Sequence, residues 1–126
     1  MLLSQELKLV KFDESIKNIL FKNYVNFEGR ASRIDNIWWF VFTTIINIAL
    51  SQIDPKYGTF SSIIFFLPGL SLTIRRLHDI NKSGWNYLWV LTIIGVFPLI
   101  YWTLFKAGDQ NDNEYGSSPF KDLEIE

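Results

Sequence analysis

The sequence predicts an all-α polytopic membrane protein with three transmembrane helices. An amphipathic interfacial helix precedes them and a polar C-terminal tail follows. Three observations carry that expectation. Residues 36–53, 57–74 and 83–105 contain no Asp, Glu, Lys or Arg. Trp and Tyr gather at the ends of those runs. Lys and Arg are distributed very unevenly among the segments between them.

A bilayer core of about 30 Å needs roughly 20 apolar residues at 1.5 Å each. The first two runs come close to that length and the third exceeds it. Buried helices of a soluble bundle usually keep a charged outer face, and none of these runs has one. The aromatic placement agrees. Trp38 and Trp39 open the first run, Tyr57 the second, and Trp85, Tyr87 and Trp89 the third, which Tyr101 and Trp102 close. Their amphipathic rings prefer the headgroup level.

The chain of 126 residues is one domain's worth. It divides into an amphipathic segment at 1–22, a membrane domain at 23–119 and a tail at 120–126. With no cysteine and one histidine, thiol chemistry is excluded, and neither a metal nor a cofactor is expected. A net charge of −1 gives no general attraction to nucleic acid.

Residues 1–30 lack the apolar core of a cleavable signal. Leu9, Phe12, Ile16, Ile19 and Leu20 recur at helical spacing, with Lys8, Lys11, Lys17 and Lys22 largely off that stripe. This is the pattern of a helix lying on a membrane surface, and equally of one packed on neighbouring polar segments. Next, Gly29 breaks the helix and Ser32 with Asp35 forms a helix-start capping pair. Arg30 and Arg33, with Glu28 nearby, sit at headgroup level, as topological anchors or as contacts to lipid phosphate.

Within the first run Thr43, Asn47 and Ser51 recur every four residues and so mark one polar face. Such a face in lipid meets another helix or lines a pore. Pro68-Gly69, and Gly95 with Pro98, are expected kinks. No span holds a charge, against the pattern of proton relays and ion-coupled transporters.

The loop "RRLHDINKSGW" at 75–85 holds the single histidine. Arg75, Arg76, His78 and Asp79 are spaced to meet as neighbours at a helix end, with Lys82 beyond them. Ser83 then caps the next helix, followed by Gly84 and Trp85. Ion pairs across loops, such as Asp35 with Arg76 or Glu28 with an arginine, are expected to set helix register. For three spans, nine basic residues share the N-terminal side and three the other. The positive-inside rule then places the N-terminus in the cytoplasm and the tail outside. If one run is re-entrant, the tail moves inside.

Three stretches, "NYVNFEGRASRIDNIWWF", "LPGLSLTIRRLHDINKSGWNYLWVLTIIGVFPLIYW" and "NDNEYGSSP", make the chain resemble the domain-of-unknown-function 805 (DUF805) family. These are small bacterial inner-membrane proteins, and the likeness covers about residues 23–119. The resemblance implies a helical protein of three or four spans and no biochemical activity. The matching positions are Gly29, Arg30, Ser32, Arg33, Arg75, Arg76, His78, Asp79, Ser83, Gly84, Trp85, Asn113, Tyr115, Gly116 and Pro119. Asn81 departs from the pattern, which often has Gly there, and residues 1–22 are an addition to it.

Catalytic alternatives fare poorly. His78 and Asp79 are adjacent, so on a helix they point about 100° apart and cannot form a base dyad. The tail imitates a calcium loop at Asp109, Asn111 and Asn113 but has Glu114 and Phe120 where glycine and a bidentate glutamate are needed. The expectation is therefore a non-enzymatic inner-membrane protein. Its partners are the lipid bilayer, with an anionic headgroup or a partner protein held at the cytoplasmic basic face. A homo-oligomeric pore or transporter subunit is one alternative. A phosphate-handling membrane enzyme using His78 is the other.

Overall fold

The computed structural model describes residues 2–121, and among them every element is helical. Helix α1 is Leu3–Leu9, and α2 is Phe12–Lys17, prolonged by a π-helical turn Asn18–Lys22. Helices α3 (Arg33–Ile53) and α4 (Pro55–Asp79) follow, then a 3-10 segment Gly84–Leu91. Helix α5 is Val96–Ile100, prolonged by a π-helical turn Tyr101–Phe105.

Helices α3 and α4 form an antiparallel hairpin joined by Asp54 alone. That residue caps α4 by accepting the Lys56 N–H at 3.1 Å, and Pro55 fits the first helical position, where no N–H is needed. At 21 and 25 residues the helices are about 31 and 37 Å long. Both are long and apolar enough to cross a membrane. Their outward faces present Phe40, Ile45, Ile48, Ile63, Ile64 and Phe66, all exposed, as lipid-facing surfaces do.

The facing sides are small and polar. The Asn47 side-chain carbonyl accepts from Ser61 at 2.7 Å and Ser62 at 3.2 Å. Ser51 occupies the space that a side chain at Gly58 would need. The Thr43–Asn47–Ser51 face thus meets a helix, the usual way to bury such groups in lipid. Closer to the polar end, Trp39 packs on Gly69 and against Phe42 and Phe65, with ring centroids 5.9 and 5.5 Å away.

The third run departs from the expected single span. Pro98 cannot supply a helix N–H, and Gly95 sits so close to the Trp89 carbonyl that no Cβ fits. The chain therefore reverses at Thr92–Gly95, where the Thr92 hydroxyl accepts the Gly95 N–H at 2.9 Å. Each arm, Gly84–Leu91 and Val96–Phe105, is only about 15 Å long. Both arms end beside α4. The Lys82 ammonium lies 4.5 Å from the Trp102 ring centroid, and Arg76 bonds the Thr103 and Lys106 carbonyls. The run leaves the polar end and returns to it. In place of a third long helix the run forms a short hairpin beside two long, membrane-capable helices.

The N-terminal segment is likewise not one surface helix. It breaks at Val10, and its stripe turns inward: Ile16 and Ile19 are buried with Ala31, Trp39 and Leu72. Val10 packs on Ile34 and Phe120. Trp38 Nε1 donates to the Val10 carbonyl at 3.1 Å. Asp35 accepts the Ser15 hydroxyl at 2.6 Å, and Ser32 with Asp35 forms the expected capping box. Of the predicted tail, residues 122–126 lie outside the described residues.

One polar contact shows how α4 tolerates an interior proline. Pro68 has no N–H for the Ile64 carbonyl one turn back. The Tyr24 hydroxyl supplies the missing donor at 2.7 Å and ties the segment before α3 to α4. Tyr24→Phe is expected to cost about 1 kcal/mol of stability. In a Pro68→Ala background, where the helical N–H is restored, it is expected to cost almost nothing. A double-mutant cycle by thermal unfolding in detergent checks this.

Candidate functional site

The last turn of α4 places Arg76 and Asp79 on one face, three residues apart. The Asp79 carboxylate accepts from Arg76 Nη1 at 2.9 Å through one oxygen and from Arg30 Nε at 2.9 Å through the other. All three side chains are at most 2% exposed. Buried charges persist only when paired and fully hydrogen-bonded, and the remaining donors are indeed satisfied. Arg30 reaches the carbonyls of Asn111 at 2.8 Å, Gly116 at 3.1 Å and Asp109. Arg76 reaches those of Thr103 at 3.2 Å and Lys106. One carboxylate and two guanidinium groups thus fasten α4, the segment before α3, the returning hairpin and residues 109–116.

Backbone and glycines complete this lock. The Asp79 carbonyl accepts the Asp109 N–H at 2.8 Å, and at Gly108 a Cβ would run into the Asp79 carboxylate. His78 Nδ1 lies 2.9 Å from the Gly29 carbonyl. A carbonyl only accepts, so Nδ1 carries the proton. Gly29 has φ +86°, the left-handed conformation glycine adopts freely. The His78 ring stacks on Tyr115, with centroids 3.9 Å apart and planes 2° from parallel. Asn113 Nδ2 donates to the His78 carbonyl at 2.9 Å and closes a tight turn with Gly116. Asn81 has φ +59° and accepts the Glu114 N–H, which explains why glycine also suits this position.

The remaining predicted residues fall around the lock. Arg33 pairs with Glu6 at 2.6 Å and donates to the Phe105 carbonyl, so α1 is tied in as well. The expected Asp35–Arg76 pair does not form: Arg76 is spent on Asp79 and on the Thr103 and Lys106 carbonyls, Asp35 accepts from Ser15 and Ser32, and the arginine that Asp35 attracts is Arg75. Glu28 is exposed on the rim of a cleft of about 780 Å³ that Arg75 also lines. Lys82 covers Trp102. Ser83 accepts the Trp85 N–H at 3.2 Å, Gly84 leaves room for Ile74, and Trp85 is exposed. Glu6, Ser15 and Gly108 belong to no motif that the sequence marks.

The single histidine has one nitrogen committed to a carbonyl and its ring flattened against a tyrosine. The adjacent Asp79 faces the arginines. Among the described residues no three His, Asp or Glu side chains converge on a point where a metal could sit.

The family model described as "Protein of unknown function (DUF805)" matches residues 24–117. The chain belongs to the DUF805 family. Among its relatives, inner membrane protein YhaH of Escherichia coli strain K12 is 32% identical over 117 residues, covering 79% of this chain and 92% of the relative. Inner membrane protein YhaI of the same strain is 33% identical over 108 residues, covering 79% of this chain and 91% of the relative. No solved structure matches. The DUF805 segment contains Arg30, Arg76, Asp79, Gly108, Asn113 and Gly116, the parts of the lock. Glu6 and Ser15, which dock the N-terminal helices, precede it.

Removing one partner of a buried charge cluster strands the others. Asp79→Asn is expected to lower stability by about 3–5 kcal/mol. Gly108→Ala, which pushes against the same carboxylate, is expected to cost about 1–3 kcal/mol. Thermal unfolding of the purified variants in mild detergent measures both.

Proposed function

We propose that this DUF805 protein is a non-catalytic protein of the bacterial inner membrane that carries a basic cap on the cytoplasmic leaflet. In this reading it has two spans, α3 and α4, and a re-entrant hairpin. The N-terminal segment, the lock and the tail then share the cytoplasmic side, where the cap holds an anionic lipid headgroup. The observation that carries the reading is one-sidedness. With the hairpin re-entrant, eleven of the twelve Lys and Arg stand on one side and only Lys56 on the other. That imbalance exceeds the one expected for three spans and sets orientation by the positive-inside rule. The names of the relatives support the choice of membrane. Basic groups at that surface are attracted to anionic lipid by about 1 kcal/mol each.

The pore alternative loses its motivating feature, since Asn47 and Ser51 are spent on α4.

The native chain has no cysteine, so single cysteines can report on topology. Ser4→Cys, Lys56→Cys and Asp112→Cys are introduced and labelled with an impermeant maleimide in right-side-out and inverted vesicles. Positions 4 and 112 are expected to label only in inverted vesicles and position 56 only in right-side-out ones. Opposite labelling of positions 4 and 112 would overturn the two-span reading.

A further inference from the structure

The cleft beside α2 has a floor that the lock does not use. Arg75 precedes Arg76 by one residue, so its side chain points about 100° away around the helix and lines this cleft instead. Arg75 is 5% exposed, yet its Nε and Nη2 are sealed from solvent without a hydrogen-bond partner. A guanidinium stays charged and carries five donors, so leaving it unmatched in the interior is costly. Arg30 and Arg76, at the same end of the molecule, are fully paired. Asp35 lines the same cleft and attracts Arg75 electrostatically, yet no hydrogen bond reaches Nε or Nη2.

The rest of the lining is graded. Lys11, Lys17 and Lys22 stand exposed at the rim, while Ile19 and Leu72 form a buried apolar wall. Glu14 and Glu28 also border it, which disfavours a ligand with several negative charges. The volume of about 780 Å³ suits a small-molecule site and is far more than a bare oxyanion fills.

We propose that this cleft binds one phosphodiester, the phosphate of a membrane phospholipid, with Arg75 as its principal donor. Lysines at the rim add charge, and the apolar wall receives the first carbons of the lipid. This rests on the reading under Proposed function and locates the headgroup site within it. A soluble phosphate ester shares the chemistry, and the experiment separates the two.

The full-length protein in mild detergent is titrated with phosphatidylglycerol, phosphatidylcholine and glycerol phosphate, and bound molecules are counted by native mass spectrometry. The wild type is expected to retain one phosphatidylglycerol in preference to the other two. Arg75→Met is expected to weaken it by about tenfold or more. The Tm of that variant should hold or rise, since buried donors without hydrogen-bond partners are removed. Arg75→Lys should retain part of the affinity as a point charge. Unchanged lipid retention in Arg75→Met would overturn the site. So would a Tm drop of several degrees, which would make the arginine a structural part. Glycerol phosphate binding as tightly as the lipid would overturn the lipid assignment. Because these measurements are made in detergent, a failed topology map leaves them readable.

Discussion

The architecture depends on one shared carboxylate. Asp79 is reached by Arg76 from its own helix and by Arg30 from a segment 49 residues away in sequence. Neither guanidinium could be buried without it, and each spends its other donors on backbone carbonyls of the hairpin and residues 109–116. Buried ion pairs are poor sources of net stability, because desolvation offsets most of the attraction. What they enforce is geometry: a wrong register leaves a charge uncompensated. The lock is best understood as the device that fixes how a small, mostly lipid-facing hairpin is capped.

Two kinds of packing divide the molecule. Between α3 and α4 the contacts are small, with Asn47, Ser51, Gly58 and Ser61 letting the helices approach, as expected where lipid replaces the hydrophobic effect as the surroundings. At the polar end the contacts become long-range and specific. The Arg33–Glu6 pair, the Ser15–Asp35 bond and the His78–Tyr115 stack join segments that are helical, irregular and extended. Of the four arginines, three are bonded into this end of the molecule, while Arg75 lines the cleft with Nε and Nη2 lacking any hydrogen-bond partner.

Much of this was legible from residue types and spacing. Uncharged runs located α3 and α4, Ser32 with Asp35 located the start of α3, and the RRLHD spacing located the lock on a helix end. The family motifs drew together Gly29, Arg30, Asn113 and Gly116, which do meet. Run length misled for residues 83–105, because counting apolar residues ignores that Gly95 and Pro98 reverse the chain. Ion pairs across loops were correctly expected but wrongly partnered. Asp35 was already occupied as a capping residue, and the carbonyls that saturate Arg30 and Arg76 leave no mark in a sequence. Glu6 was invisible for a similar reason: one acidic residue in a helix looks the same whether it is solvated or buried.

The closure of the lock by residues 103–116 sets an order of assembly. The α3–α4 hairpin is made of local contacts and can enter the bilayer as soon as it leaves the ribosome, while Arg30, Arg76 and Asp79 still have water for company. Their carbonyl partners at Thr103, Lys106, Asp109, Asn111 and Gly116 are synthesised after the hairpin. The nascent chain therefore passes through a stage in which its most costly charges wait at the lipid boundary for residues 103–116, and they shed that water only once those residues have been made.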